Sequence, residues 1–306
     1  MKKLLNFIIL LIIITNCQAQ QTNLSLKLKK GNVYKQITNS IMIITQDFGG
    51  QKMNMEMLLE GGMSYLVKKI YQGKYVMEVK YDSLSMSMQL PQGKMKFSSE
   101  DKNEQNIFSS LLTEMKKIPF EITMTKTGKV IDVKNIDSMF DSMFKKFSDI
   151  PENQLAQIKT QLMNAYGEKA FRGNIEMITA IYPNYPVRKE ESWQINTKLE
   201  SGMSGNINST YSLTEKASDY YIIVGESNIT TEDKDAYVQV NGMPTKYDLK
   251  GKMSSNIKVD KNTGWIIEAK INQTIEGNVF IKNNPEMEEG MKIPMTINNQ
   301  MIYSNK

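Results

Sequence analysis

Histidine is missing from this 306-residue sequence, and cysteine occurs once, at position 17. The first absence excludes a Ser-His-Asp triad, zinc held by a His-x-x-x-His pair and haem ligated by histidine. The second confines thiol catalysis and thiolate metal binding to Cys17, which lies in the leader described below. The rest of the chain therefore has no disulfide to brace it and must depend on its core. There is neither a Walker loop nor a Gly-x-Gly-x-x-Gly turn. Beyond residue 19 no apolar run reaches about 18 residues, the length a membrane-spanning helix needs. Charge of one sign is scarce as well. Lys and Arg number 38 against 33 Asp and Glu; leaving out Lys2 and Lys3 gives 36 against 33, a net of +3. That excess is spread along the chain, whereas a nucleic-acid surface gathers it into a patch.

What is present begins with a leader. Lys2 and Lys3 precede an apolar stretch from Leu4 to Ile14, broken only by Asn6, and then Thr15-Asn16-Cys17-Gln18-Ala19. This is the layout of a secretory signal peptide, with an apolar core too short to anchor in a bilayer. Cleavage after Ala19 would place small residues at −3 and −1. Alternatively, Ile14-Thr15-Asn16-Cys17 reads as a lipobox with Cys17 as the lipidated residue, although Asn16 stands where a small residue is usual. Either way an exported protein is expected: periplasmic or secreted, or an outer-membrane lipoprotein through Cys17.

Period-two alternation dominates the remainder. From 247 to 259 the odd positions read Tyr247, Leu249, Gly251, Met253, Ser255, Ile257 and Val259, with Asp248, Lys250, Lys252 and Lys258 opposite. A turn at Asp260–Gly264 follows, and the alternation resumes from Trp265 to Ile281, which predicts a long antiparallel hairpin. A last strand is expected over Met291–Tyr303. Leu24/Leu26/Leu28, Met53/Met55/Met57, Leu84/Met86/Met88/Leu90 and Phe120/Ile122/Met124 alternate likewise. At about 3.3 Å per residue, a straight 265–281 run would exceed about 50 Å, so a strongly curved sheet is expected. Gln273 and Gly277 on the dry side predict a bend or bulge.

Between 104 and 181 the period changes to 3.6. Ile107, Phe108, Leu111, Leu112 and Met115 fit one helix, and Ile136, Met139, Phe140, Met143, Phe144 and Phe147 a second. Pro151 opens a third, carrying Leu155, Ile158, Leu162, Tyr166 and Phe171. The flanks of this region look alike. Tyr65-x-Val67 and Tyr75-Val76-Met77 match Tyr211-x-Leu213 and Tyr221-Ile222-Ile223, and Lys126–Ile131 matches Asn262–Ile267. Either the chain holds two related β halves or hairpin grammar is repeating itself. The expected organisation is a leader over 1–19 and one large β-rich domain over 20–306. Within it, 20–103 and 119–134 form the first β half, 104–118 and 135–181 the helices, and 190–306 the second half. The fold class is α+β, β-dominated: long curved antiparallel sheets with a helical insert, comparable at fold level to half-barrel lipoprotein carriers.

The leader, Thr127-Gly128 and Thr263-Gly264 near the ends of the two halves, and Tyr182-Pro183-Asn184-Tyr185-Pro186-Val187 ahead of Ser192-Trp193 together carry a resemblance. The sequence is similar to a family of exported bacterial envelope proteins of unknown function, domain of unknown function 6263. Arg188-Lys189-Glu190-Glu191 stands where that family usually has Gly-Asp before Ser-Trp. The resemblance implies architecture and location, and no catalytic residues or cofactor.

Carboxylates offer three clusters: Asp137/Asp141 on one helical face, Glu232/Asp233/Asp235, and Glu286/Glu288/Glu289. Each could form an acid–base pair of a glycan hydrolase or a calcium site, or be a solvated surface. Methionine is the compositional oddity, with 23 residues. Its alternating runs have the spacing of thioether Cu(I) sites, yet same-face residues on one strand sit about 6.5–7 Å apart, so core filling explains them more simply. Between those readings lies a third, because methionine-rich surfaces adapt to varied apolar partners. The expectation is a non-enzymatic envelope protein with no metal or cofactor and no nucleic-acid partner. Its apolar face, lined by Met53, Met55, Met57, Leu84, Met86, Met88, Leu90 and Met253, would bind a lipid, another apolar ligand or an envelope protein. The alternative is a structural or assembly partner without a ligand cavity.

Overall fold

In the computed structural model the described residues are 21–91, 93–103, 106–147, 150–200, 203–240, 242–283 and 288–306. The leader with Cys17, and Glu286 of the last carboxylate cluster, lie outside them. The described residues form one antiparallel sheet of thirteen strands. The first half supplies β1 (Val33–Phe48), β2 (Gln51–Tyr71), β3 (Lys74–Leu90), β4 (Gly93–Ser98), β5 (Phe120–Thr125) and β6 (Val130–Lys134). The second supplies β7 (Ser192–Leu199), β8 (Gly205–Lys216), β9 (Tyr220–Thr231), β10 (Val238–Val240), β11 (Met243–Asp260), β12 (Ile266–Ile281) and β13 (Met291–Ser304). Between them come α1 (Ile107–Met115), α2 (Ile136–Phe144), α3 (Glu152–Tyr166) and α4 (Glu168–Thr179), with α1 inserted between β4 and β5.

Strand order runs β6-β5-β3-β2-β1-β13-β12-β11-β9-β8-β7, with β4 beside β3 and β10 beside β11. The C-terminal strand thus joins the halves, pairing Ser40 with Met301 on one side and Ile271 with Met301 on the other. The edges β6 and β7 are not hydrogen-bonded to each other; α4 packs against both, so the sheet curls until a helix fills its gap. The register recurs. Tyr34 faces Tyr65 and Val67 faces Met77, with a ladder shift just after Val67; Trp193 faces Tyr211 and Leu213 faces Ile223, with a shift just after Leu213.

Three sequence expectations are corrected. The third helix breaks at Gly167 into α3 and α4, leaving Phe171 on the second piece. A Cβ at Gly167 would press into the Met163 carbonyl that closes α3, so this glycine is what permits the sharp turn. Leu24, Leu26 and Leu28 are buried but belong to no sheet strand. Their segment is held by two turns instead: Leu26 N–H donates to the Lys126 carbonyl at 2.8 Å and Lys27 N–H to the Thr263 carbonyl at 2.7 Å. Thr22 and Val187 exchange two further backbone bonds at 2.7 and 3.0 Å. Finally, no bulge interrupts β12 at Gln273 or Gly277: the ladder with β11 runs unbroken until a shift at Val259. Gly277, at φ +149°, instead lets the β11 backbone at Asp248 approach where a side chain would collide.

Candidate functional site

One face of the curled sheet points inward, and its coverage is uneven. At the end where the helices pack, Tyr65, Met77, Phe120, Ile122 and Met124 are completely enclosed, together with Leu111, Met115, Met139 and Phe140 of α1 and α2. Toward the Phe48–Gln51 turn the cover thins. The ladders set Met95 (β4), Met88 (β3), Met57 (β2) and Met42 (β1) side by side in one row. Met42, Met57 and Met88 are half-buried and Met95 is 39% exposed. The row continues inward through Asn299, Gln273 and Met253. The next row toward the helices holds Phe97, Met86, Leu59, Ser40 and Met301. The next outward holds Met55, Ile44 and Ile297, and beyond it lie Met53, Gln46 and Met295, where the Gln46 amide donates to the Met295 sulfur at 3.9 Å.

The eight residues expected to line the apolar face therefore share one side of one sheet but not one environment. Leu84 and Met253 are buried at 6% and 2% exposure, whereas Met53, Met55, Met57, Met86, Met88 and Leu90 are half-buried. Met253 is removed from the cluster by β12 and β13, with Gln273 and Asn299 between. Leu84 keeps to the inner side because β3 carries an extra residue at Asp82, opposite Gly62, which restores the alternation after Tyr81. On the outer side of β11 and β12 stand Lys250, Lys252, Glu268, Lys270 and Glu276, all exposed. Strands that cross lipid turn their apolar rows outward; these two turn theirs inward.

Alternation placed Gln273 and Ser255 on this inner face but did not single out the other polar groups there. Ser40 Oγ donates to Asn299 Oδ1 at 2.7 Å, and Ser209 and Ser227 share a hydrogen bond of 2.7 Å. Gln273 Nε2 and Gln36 Oε1 are buried without a protein partner. The signal lay in parity: each of these residues occupies an inward position of its strand.

The carboxylate clusters do not converge. Asp141 on α2 pairs with Lys159 of α3 at 2.7 Å, and that contact holds its carboxyl below the usual range. Glu232 pairs with Lys198, and Asp235 with Lys246 at 3.7 Å. Asp233 Oδ1 accepts from the backbone N–H groups of Asp235 and Ala236, which is loop structure. Glu288 and Glu289 are exposed, and among the described residues no three Asp or Glu gather as metal ligands. Burial pushes the phenols of Tyr65, Tyr81 and Tyr303 well up, keeping them neutral at ordinary pH.

One carboxyl behaves differently. Glu176 on α4 accepts a 2.7 Å hydrogen bond from the Val130 N–H at the start of β6, and burial raises its titration above the ordinary 4.5. The protonated form is favoured in the fold, so the associated stability is complete below the ordinary value and is lost as pH climbs through the raised one. Glu176→Gln retains the acceptor and removes the buried charge. The melting temperature is expected to rise by about 1–2 °C at pH 7 and to be unchanged near pH 4, read from thermal melts at both values.

Of the recesses in the described residues, one of about 10 Å³ lies beside Leu24, Tyr182 and Gly264, and an open one of about 390 Å³ beside Tyr34, Thr263, Trp265 and Lys306. Both lie by the Asp260–Trp265 turn, away from the methionine rows. The profile of a family of unknown function (DUF6263) matches residues 72–266, from the β2–β3 turn to the start of β12. The chain belongs to this family. The part of the DUF6263 fold so matched contains the helical insert and both Thr-Gly turns, and leaves out β1, β2 and β13. No curated protein matches the sequence. Among solved structures, an outer membrane channel from Pseudomonas putida F1 overlaps at a TM-score of 0.23 with 6% identity, over 91% of this chain and 97% of that one. OccK7 (OpdD) of Pseudomonas aeruginosa does so at 0.19 with 6% identity, over 90% and 99%. Overlaps of that size carry no argument about the DUF6263 chain.

Proposed function

We propose that this protein is an exported, non-enzymatic envelope protein that holds the acyl chain of a lipid on the methionine-rich open end of its inner face. One observation supports this above the rest: the rows Met53/Met55/Met57 and Met86/Met88 are half-buried on the inward side, while α2, α3 and α4 pack at the opposite end and α1 meets these rows at β4, where Phe108 lies against Phe97. An unbranched thioether with three rotatable bonds conforms to chains of varied shape, which suits a surface rather than a closed pocket. Export rests on Lys2, Lys3 and the apolar stretch to Ile14. The absence of enzymatic chemistry rests on residue types: no histidine anywhere, and carboxylates tied to lysines.

Native mass spectrometry of protein purified from its native cells is the test, paired with displacement of a fluorescent fatty-acid probe. A co-purifying lipid mass is expected. The double change Met55→Glu/Met57→Glu should weaken probe binding at least tenfold, since a buried charge opposes a hydrocarbon chain. Bare protein that also fails to bind the probe would end this reading, and a bound envelope protein in place of lipid would replace it with an assembly role.

A further inference from the structure

The argument from spacing against copper applies along a strand, where same-face residues are about 6.5–7 Å apart. Across strands the pitch is about 4.8 Å. Met42, Met57 and Met88 are consecutive cross-strand partners on β1, β2 and β3, and Met95 continues the row on β4. From their register we propose that Met42, Met57 and Met88 form an all-thioether site for a monovalent soft cation, Cu(I), with Met95 closing it at the rim.

The geometry suffices. Metal–sulfur bonds of about 2.3 Å, the length seen with zinc, place three trigonal sulfurs about 4 Å apart. The backbones of Met42 and Met88 are about 9.6 Å apart, two strand spacings, so each flexible side chain leans about 3 Å toward Met57. Softness of the donor selects Cu(I) over the hard divalent ions, and neither histidine nor thiolate is needed. Half-burial suits a singly charged ion bound by neutral ligands, because part of its charge remains solvated. Asn299 ends the thioether row beyond Met42, and Met86 and Met55 stand in the rows on either side of it. This inference goes beyond lipid binding, since leucine serves a hydrocarbon chain as well as methionine does but cannot ligate copper.

Anaerobic titration of the full chain with Cu(I), in competition with a chromophoric Cu(I) chelator, tests it. One equivalent per chain is expected to be retained, with an all-sulfur shell in X-ray absorption. Met57→Leu should lower the affinity at least tenfold, and Met42→Leu and Met88→Leu should each weaken it. Met253→Leu, three strands from Met42 on the same face, should leave it unchanged. Leucine nearly conserves volume, so these variants are expected to fold. If the triple Met42/Met57/Met88→Leu variant holds Cu(I) as well as the parent, or the parent holds none, the site does not exist. Fatty-acid probe binding that persists in the triple variant while Cu(I) binding is lost supports the site. Loss of probe binding with retention of Cu(I) overturns it.

Discussion

Gly128→Ala should destabilise the protein by about 3 kcal/mol or more, among the larger effects of a single methyl group. Gly128 sits at φ +85° in the β5–β6 turn, a conformation that costs an alanine about 1–2 kcal/mol by itself. The added Cβ would also overlap the Thr179 carbonyl at the end of α4. The turn has no room to retreat, because the Thr179 hydroxyl donates to the Gly128 carbonyl at 2.7 Å and Lys126 accepts from Leu26. Gly31→Ala separates the two contributions. Gly31 has φ +84° with open space around it, so only the conformational cost of about 1–2 kcal/mol is expected there. Urea unfolding midpoints measure both, and equal losses at the two positions would show that the contact with Thr179 does not matter.

Trp265→Ala is expected to cost about 3–5 kcal/mol. The indole lies 5.3 Å from the rings of both Tyr34 and Tyr65, edge-on to the second, and its Nε1 donates to the Lys35 carbonyl at 2.8 Å. It thereby ties the first residues after the Thr263-Gly264 turn to β1 and β2. Trp265→Phe retains an aromatic ring but removes the donor to the part-buried Lys35 carbonyl, for a loss of about 0.5–1.5 kcal/mol. Denaturation followed by the remaining tryptophan, Trp193, reads both variants. A Phe variant as weak as the Ala variant would assign the effect to the hydrogen bond alone.

The long strands were legible because one side of each is dry and the other wet. Lys250, Lys252 and Lys258 stand opposite Leu249, Met253 and Ile257, and the hairpin of β11 and β12 falls where that alternation placed it. What alternation cannot convey is which strands are neighbours. Met42 and Met57 are adjacent because a hairpin joins them, and Met88 follows through the next hairpin, but Asn299 enters the same row from the far end of the chain. The cross-strand methionine row was invisible for that reason: Met57 and Met88 lay in recognised alternations, whereas Met42 and Met95 lay on strands that were not recognised. Leu24, Leu26 and Leu28 show the opposite difficulty: their alternation is real, yet they bury themselves between two turns rather than in a ladder. Gly167 splits a helix whose apolar spacing carries straight through, since periodicity records faces and is silent about a backbone that must bend. Glu176 escaped notice because nothing near it in the sequence reports that β6 starts beside α4.

The place of β13 has a consequence for how the molecule comes into being. Strand β1 pairs with its hairpin neighbour β2, but its other edge has no partner until the fourteen-residue β13, about 240 residues later, is synthesised. The same strand completes β12, so the two halves remain separate until β13 has been synthesised. Contacts this distant along the chain slow the search for the native state and leave bare strand edges open to self-association meanwhile.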